Sequence, residues 1–103
     1  MNHGAIPVAC SLTSDELRSR ETILLAEFRS AVTAIEEHAD GYAVRLSGEK
    51  HRLALVADLM IAERQCCPFL TFALAAEPNM GALTIRVTGP QGAKEFLKPL
   101  FVG

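Results

Sequence analysis

The sequence predicts an α+β domain, an antiparallel sheet of about four strands with helices packed on one face. Three observations predict it. "VTAIEEHADGYAVRLSG" and "FLTFALAAEPNMGALTIRVT" each read as two short alternating runs about a cluster of turn formers. "TSDELRSRETILLAEFRS" and "EKHRLALVADLMIAERQ" place apolar residues at helical spacing. "GYAVRLSGEKHRLALV" and "GALTIRVTGPQGAKEFL" then echo one another as glycine, alternating strand, glycine turn and helix. The chain from about Val32 onward therefore reads as two hairpin-plus-helix units, after an N-terminal strand and helix. Each unit leaves one sheet face bare, and pairing two of them buries every apolar stripe.

Residues 1–5 read as a flexible tail. Ile6, Val8 and Cys10 alternate with Pro7, Ala9 and Ser11; Pro7 has no N–H for a ladder, so a strand here is short and at an edge. Thr13 to Glu16 fits a capping box at a helix start. The helix should run from about Ser14 to Ser30, burying Leu17, Leu24, Leu25, Phe28 and Val32 while Arg18, Glu21, Glu27 and Arg29 stay wet. In the first hairpin Asp40-Gly41 supplies a positive-φ pair, and Tyr42, Val44 and Leu46 form the buried side. A second helix spans about Glu49 to Gln65 or Cys66, stopped by Pro68, whose ring disfavours helical geometry at the residue before it. Pro78, Asn79 and Gly81 turn the second hairpin, and Leu83, Ile85 and Val87 face the core. In the closing helix Ala93, Phe96, Leu97 and Leu100 dock, and Pro99 ends regular hydrogen bonding.

Half of the 103 residues are apolar, enough for one packed core, so the whole chain 1–103 is read as a single domain. Ten basic against twelve acidic side chains leave a net charge of -2, which gives no electrostatic footprint for nucleic acid. "MNHGAIPVAC" lacks the basic and apolar regions of a secretion signal, and cytoplasmic residence is the expectation. "LALVADLMIA" is interrupted by Asp58 and is far too short to cross a bilayer, so no membrane partner is expected. An odd cysteine count without an export signal argues against a disulfide framework and for reduced thiols.

"ERQCCPFLTF" carries the chemistry, because it sets Cys66 and Cys67 side by side at a helix C-terminus. The unpaired carbonyls there disfavour a thiolate, and Arg64 is the one nearby cation. The same carbonyls attract a cation, and a bound metal deprotonates its own thiol ligands. Adjacent cysteines on regular structure point apart, so both reach one ion only where the chain breaks regularity. Cys10 is a candidate third thiolate, the Glu63 carboxylate can join, and His51 lies three helical turns upstream. Sulfur ligands select Zn(II), Cu(I), mercury or arsenite. A Cys66–Cys67 disulfide would close a strained ring and is not expected. Against all of this, a buried cysteine pair between core elements is also ordinary packing. His3 with the N-terminal amine suits Cu(II) or Ni(II), Glu36, Glu37 and His38 make a poor acid/base set, and "GPQGAK" falls short of a phosphate loop.

"ERQCCPFLTF", with "CSLTSDELRSR" upstream and "LTIRVTGPQGAKEFL" downstream, resembles a family of short, largely uncharacterised bacterial proteins with a Glu-Arg-x-Cys-Cys-Pro-Phe signature. The resemblance covers most of the chain. It implies that Cys10, Cys66 and Cys67 belong to one site, with Glu63 and Arg64 as the signature's charged pair. Three functional readings stand. The first is a cytoplasmic domain that binds a soft metal or metalloid through Cys66, Cys67 and Cys10 with Glu63. The second is an interaction module, its cysteines in the core and its bare sheet face making a homodimer. The third is a thiol enzyme or redox protein, for which the chain holds no complete catalytic constellation.

Overall fold

The computed structural model describes residues 14–101. The suggested edge strand, the N-terminal tail, Cys10 and His3 lie outside the described residues. The elements run α1 (Asp15–Ala31), β1 (Val32–His38), β2 (Gly41–Leu46), α2 (Lys50–Cys66), β3 (Thr71–Ala76), β4 (Leu83–Thr88) and α3 (Ala93–Phe101). The strands form one antiparallel sheet in the order β1-β2-β4-β3. The internal echo explains the order: β2 and β4 are the second strands of their hairpins, each is followed by a helix, and the two meet at the centre.

Alternation decides which face is covered. The register sets Tyr42 against Val87, Val44 against Ile85 and Leu46 against Leu83, and all six side chains are buried. Between them Arg45 and Arg86 are exposed on the opposite face. Leu24, Leu25 and Phe28 of α1, Leu55, Val56 and Leu59 of α2, and Leu97 and Phe101 of α3 complete the core over the apolar face. Phe28 meets Phe101 edge to face at 5.6 Å between ring centroids. Each such side chain contributes about 1.5–3 kcal/mol by leaving water. Among the described residues no helix is long and apolar enough to cross a membrane.

Several local expectations change. The cap of α1 is Ser14, whose Oγ accepts from the Leu17 N–H at 3.4 Å. Leu17 is 41% exposed, because it belongs to the first turn of α1 and lines an open cleft against α2 beyond the packed stripe. Gly41 does not have a positive φ; among the described residues Asn79 (58°), Met80 (58°) and Gly92 (94°) do. Gly41 is needed instead for closeness, since a Cβ there would sit 1.9 Å from the Val87 carbonyl oxygen of the neighbouring strand. The left-handed pair is Asn79-Met80, closed by the Gly81 N–H donating to the Pro78 carbonyl at 3.1 Å. Pro99 does not end α3, which continues to a buried Phe101, so docking outweighs the missing proline N–H in the last turn.

Candidate metal centre

The site forms where the second turn of α1 meets the end of α2. Along α1, Glu21 falls on the stripe that continues as Leu24, Leu25 and Phe28; along α2, Glu63 continues the stripe of Leu55, Val56 and Leu59. Packing the two stripes together therefore brings two carboxylates into the interface. Cys66 and Cys67 follow Glu63 by three and four residues, the spacing of one helix face. Helical geometry ends at Cys67, with φ -123° and ψ 71°, while its N–H still donates to the Glu63 carbonyl at 2.6 Å. That break lets both neighbouring cysteines serve one place. One ligand atom from each of Glu21, Glu63, Cys66 and Cys67 lies within 4.8 Å of every other, a group that could hold a metal ion.

The surroundings are dry. Glu63 and Cys67 are 0% exposed and Cys66 is 2% exposed, packed with Phe69 and Ala93. Phe96 stacks edge-on against Phe69 at 5.4 Å, which fastens α3 over the loop after α2. The Cys67 thiol donates to Glu63 Oε2 at 3.5 Å, and Glu63 Oε1 is buried without a hydrogen-bond partner. Burial, followed by the shared proton and negative charge of Glu21, pushes the Glu63 carboxyl up to about 8. Burial, then the Glu63 and Glu21 carboxylates, pushes the Cys67 thiol well above its ordinary range. Cys67 is thus a neutral thiol at pH 7, and exposed Arg64 does not activate it as a nucleophile.

Cys66 is bonded in a disulfide and Cys67 is the free thiol. The two are not bonded to each other, as the strain of a vicinal ring predicts. The expectation of reduced thiols is corrected at Cys66, whereas Cys67, among the described residues, keeps its thiol. In the reduced form the group offers two sulfurs and two carboxylate oxygens.

Of the residues singled out from sequence, Cys66, Cys67 and Glu63 come together. Glu21 was expected to stay in water and is half-buried at the site instead. The signal that marks it is its register, one turn before Leu24 and Leu25. His51 is not part of the group: its Nε2 lies 3.0 Å from Glu49 Oε2 at the other end of α2. His38 Nε2 lies 3.1 Å from Glu36 Oε1, whereas Glu37, on the opposite face of β1, is held below its usual range by an ion pair with Lys94. "GPQGAK" is an ordinary turn into α3, with Gly92 at positive φ and the Ala93 N–H donating to the Pro90 carbonyl. No family model, no curated protein and no solved structure matches the chain.

Proposed function

We propose that this is a cytoplasmic domain that binds a soft or borderline metal or metalloid ion in a sequestering or sensing role. Cys66 and Cys67 supply thiolates, Glu63 and Glu21 supply oxygens, and Cys10 supplies a third sulfur. One observation carries the reading: four potential ligands, three of them buried, converge around a buried carboxylate oxygen that has no hydrogen-bond partner. A buried and a half-buried acid beside two buried sulfurs raise the energy of the empty ionised site. A cation removes that cost, because it lets the carboxylates and thiols give up their protons to one shared positive charge. The mixed sulfur and oxygen set suits Zn(II), while a third sulfur would favour arsenite or Hg(II).

The second reading, an interaction module and homodimer whose cysteines only pack, is favoured by the small apolar cluster of Cys66, Cys67, Phe69 and Ala93. It leaves the unpartnered Glu63 oxygen without a reason. Native mass spectrometry of the reduced chain with Zn(II), Cu(I), Hg(II) or arsenite separates the two. One tightly held ion per chain, weakened at least tenfold by Cys67→Ser and by Glu63→Gln, is expected. Variants that bind like the parent, or no binding beyond that of an exposed thiol, would return the cysteines to packing.

A further inference from the structure

We infer that the open edge of β3 is a self-association surface, at which two copies of the chain pair β3 with β3, antiparallel, into one continuous sheet. Backbone accounting comes first. β3 ends the strand order β1-β2-β4-β3, so its outer edge has no neighbour among the described residues. Its register on β4 runs from Thr71 against Thr88 to Ala76 against Leu83, and the Glu77 N–H extends it by one pair, donating to the Ala82 carbonyl at 3.0 Å. Residues along an antiparallel ladder alternate between bonding their neighbour and facing away from it. Since Glu77 bonds toward β4, so do Ala75 and Ala73, while Phe72, Leu74 and Ala76 turn their N–H and C=O groups to the open edge. The side chains agree. Leu74 is 38% exposed, whereas Ile85, directly beside it on β4, is 2% exposed, so the helices cover β4 and stop short of β3.

The occupant follows from the chemistry of the two sheet edges. β1, the other edge, carries Glu36, Glu37 and His38 and a register shift between Val32 and Ala34, features that discourage strand addition. β3 reads TFALAA, without charge, proline or register shift. It is also its own complement. A two-fold axis normal to the sheet at Leu74 sets Leu74 of one copy against Leu74 of the other and Phe72 of each against Ala76 of the other, each of these three pairs exchanging two N–H···O=C bonds. The outward groups of all three residues are then satisfied, the two Leu74 side chains meet on the helix side, and Ala73 lies against Ala75 on the other face. The nearest charge, Glu77, falls opposite Thr71, so no like charges meet. The product is a closed dimer with the strand order β1-β2-β4-β3-β3-β4-β2-β1 and the helices of both copies on one face. It uses the sheet edge and not the bare face, and it is independent of the metal reading.

Sedimentation velocity of the full chain over a wide concentration range, with a strong reductant to exclude disulfide links and no added metal, tests the pairing. A reversible dimer is expected. Leu74→Lys and Leu74→Glu should each weaken it by about tenfold or more, because each places like charges on the two-fold axis, and an equal mixture of the two should restore a dimer. Restoration also shows that both variants fold. Amide exchange read residue by residue supplies a second signature: Phe72 and Ala76 should exchange slowly in the dimer and fast in either variant alone, while Ala73 and Ala75 stay slow in both. A chain that remains monomeric, a dimer that survives Leu74→Lys, or variants that do not recombine overturns the pairing. So does slow exchange at Phe72 and Ala76 in the variants alone, the sign of an edge already covered within one chain.

Discussion

Glu63→Gln should stabilise the unliganded, reduced protein at pH 8 and weaken its hold on an ion, two effects of opposite sign from one atom exchange. Glu63 is fully buried, and its carboxyl is raised from 4.5 to about 8 by burial and by Glu21. A folded value above the unfolded one means that the native state holds an extra proton between those limits. Stability then falls as pH rises through that window, by up to about 1.4 kcal/mol per pH unit. From pH 5 to pH 8 the loss from this group approaches about 4 kcal/mol, a ceiling that sharing with Glu21 lowers. Glutamine keeps the shape, never ionises, and should remove the slope. Urea unfolding at pH 5 and pH 8 under a strong reductant measures it, with the parent-minus-variant difference isolating Glu63 from the other titrating groups. Added Zn(II) should then rescue the parent at pH 8 and rescue the variant far less. Parallel stability curves for parent and variant across this range would refute the reasoning.

Three further predictions follow from the same geometry. Because the Cys67 thiol and the Glu63 carboxyl are both raised, ion uptake must release their protons; the apparent affinity for Zn(II) should climb by about tenfold or more per pH unit between pH 6 and 8, read by competition with a chromophoric chelator. Phe69→Ala removes the ring that joins the cysteine loop to Phe96; thermal or denaturant unfolding should show a loss of about 3–5 kcal/mol. Met80 sits exposed at φ 58° in the β3–β4 turn. Met80→Gly relieves about 1–2 kcal/mol of left-handed cost and returns about 0.5–1 kcal/mol as unfolded-chain entropy. A small net gain of about 0.5 kcal/mol is expected, and a clear destabilisation would show that the Met80 side chain makes a needed contact.

Most of the fold is legible in the sequence because its signals are local. Tyr42, Val44 and Leu46, and Leu83, Ile85 and Val87, alternate cleanly, and the repeat of strand, glycine turn and helix places β2 beside β4. The first turn is less legible. Asp40-Gly41 looks like a left-handed pair, yet Gly41 answers to the Val87 carbonyl on another strand, a contact no local pattern carries. Three of the four groups of the site are legible too: Cys66, Cys67 and Glu63 are neighbours in sequence, and helical spacing joins them. Glu21 comes from another helix. Its register among Leu24, Leu25 and Phe28 hints at burial, but only packing α1 on α2 shows which group it faces.

The most direct test of the central claim is X-ray absorption spectroscopy of the reduced chain carrying one equivalent of Zn(II). The account predicts two or three sulfur neighbours at about 2.3 Å together with carboxylate oxygen at about 2.0–2.2 Å, and a loss of sulfur in Cys67→Ser. A spectrum with no sulfur neighbours, or one unchanged by Cys67→Ser, would contradict it.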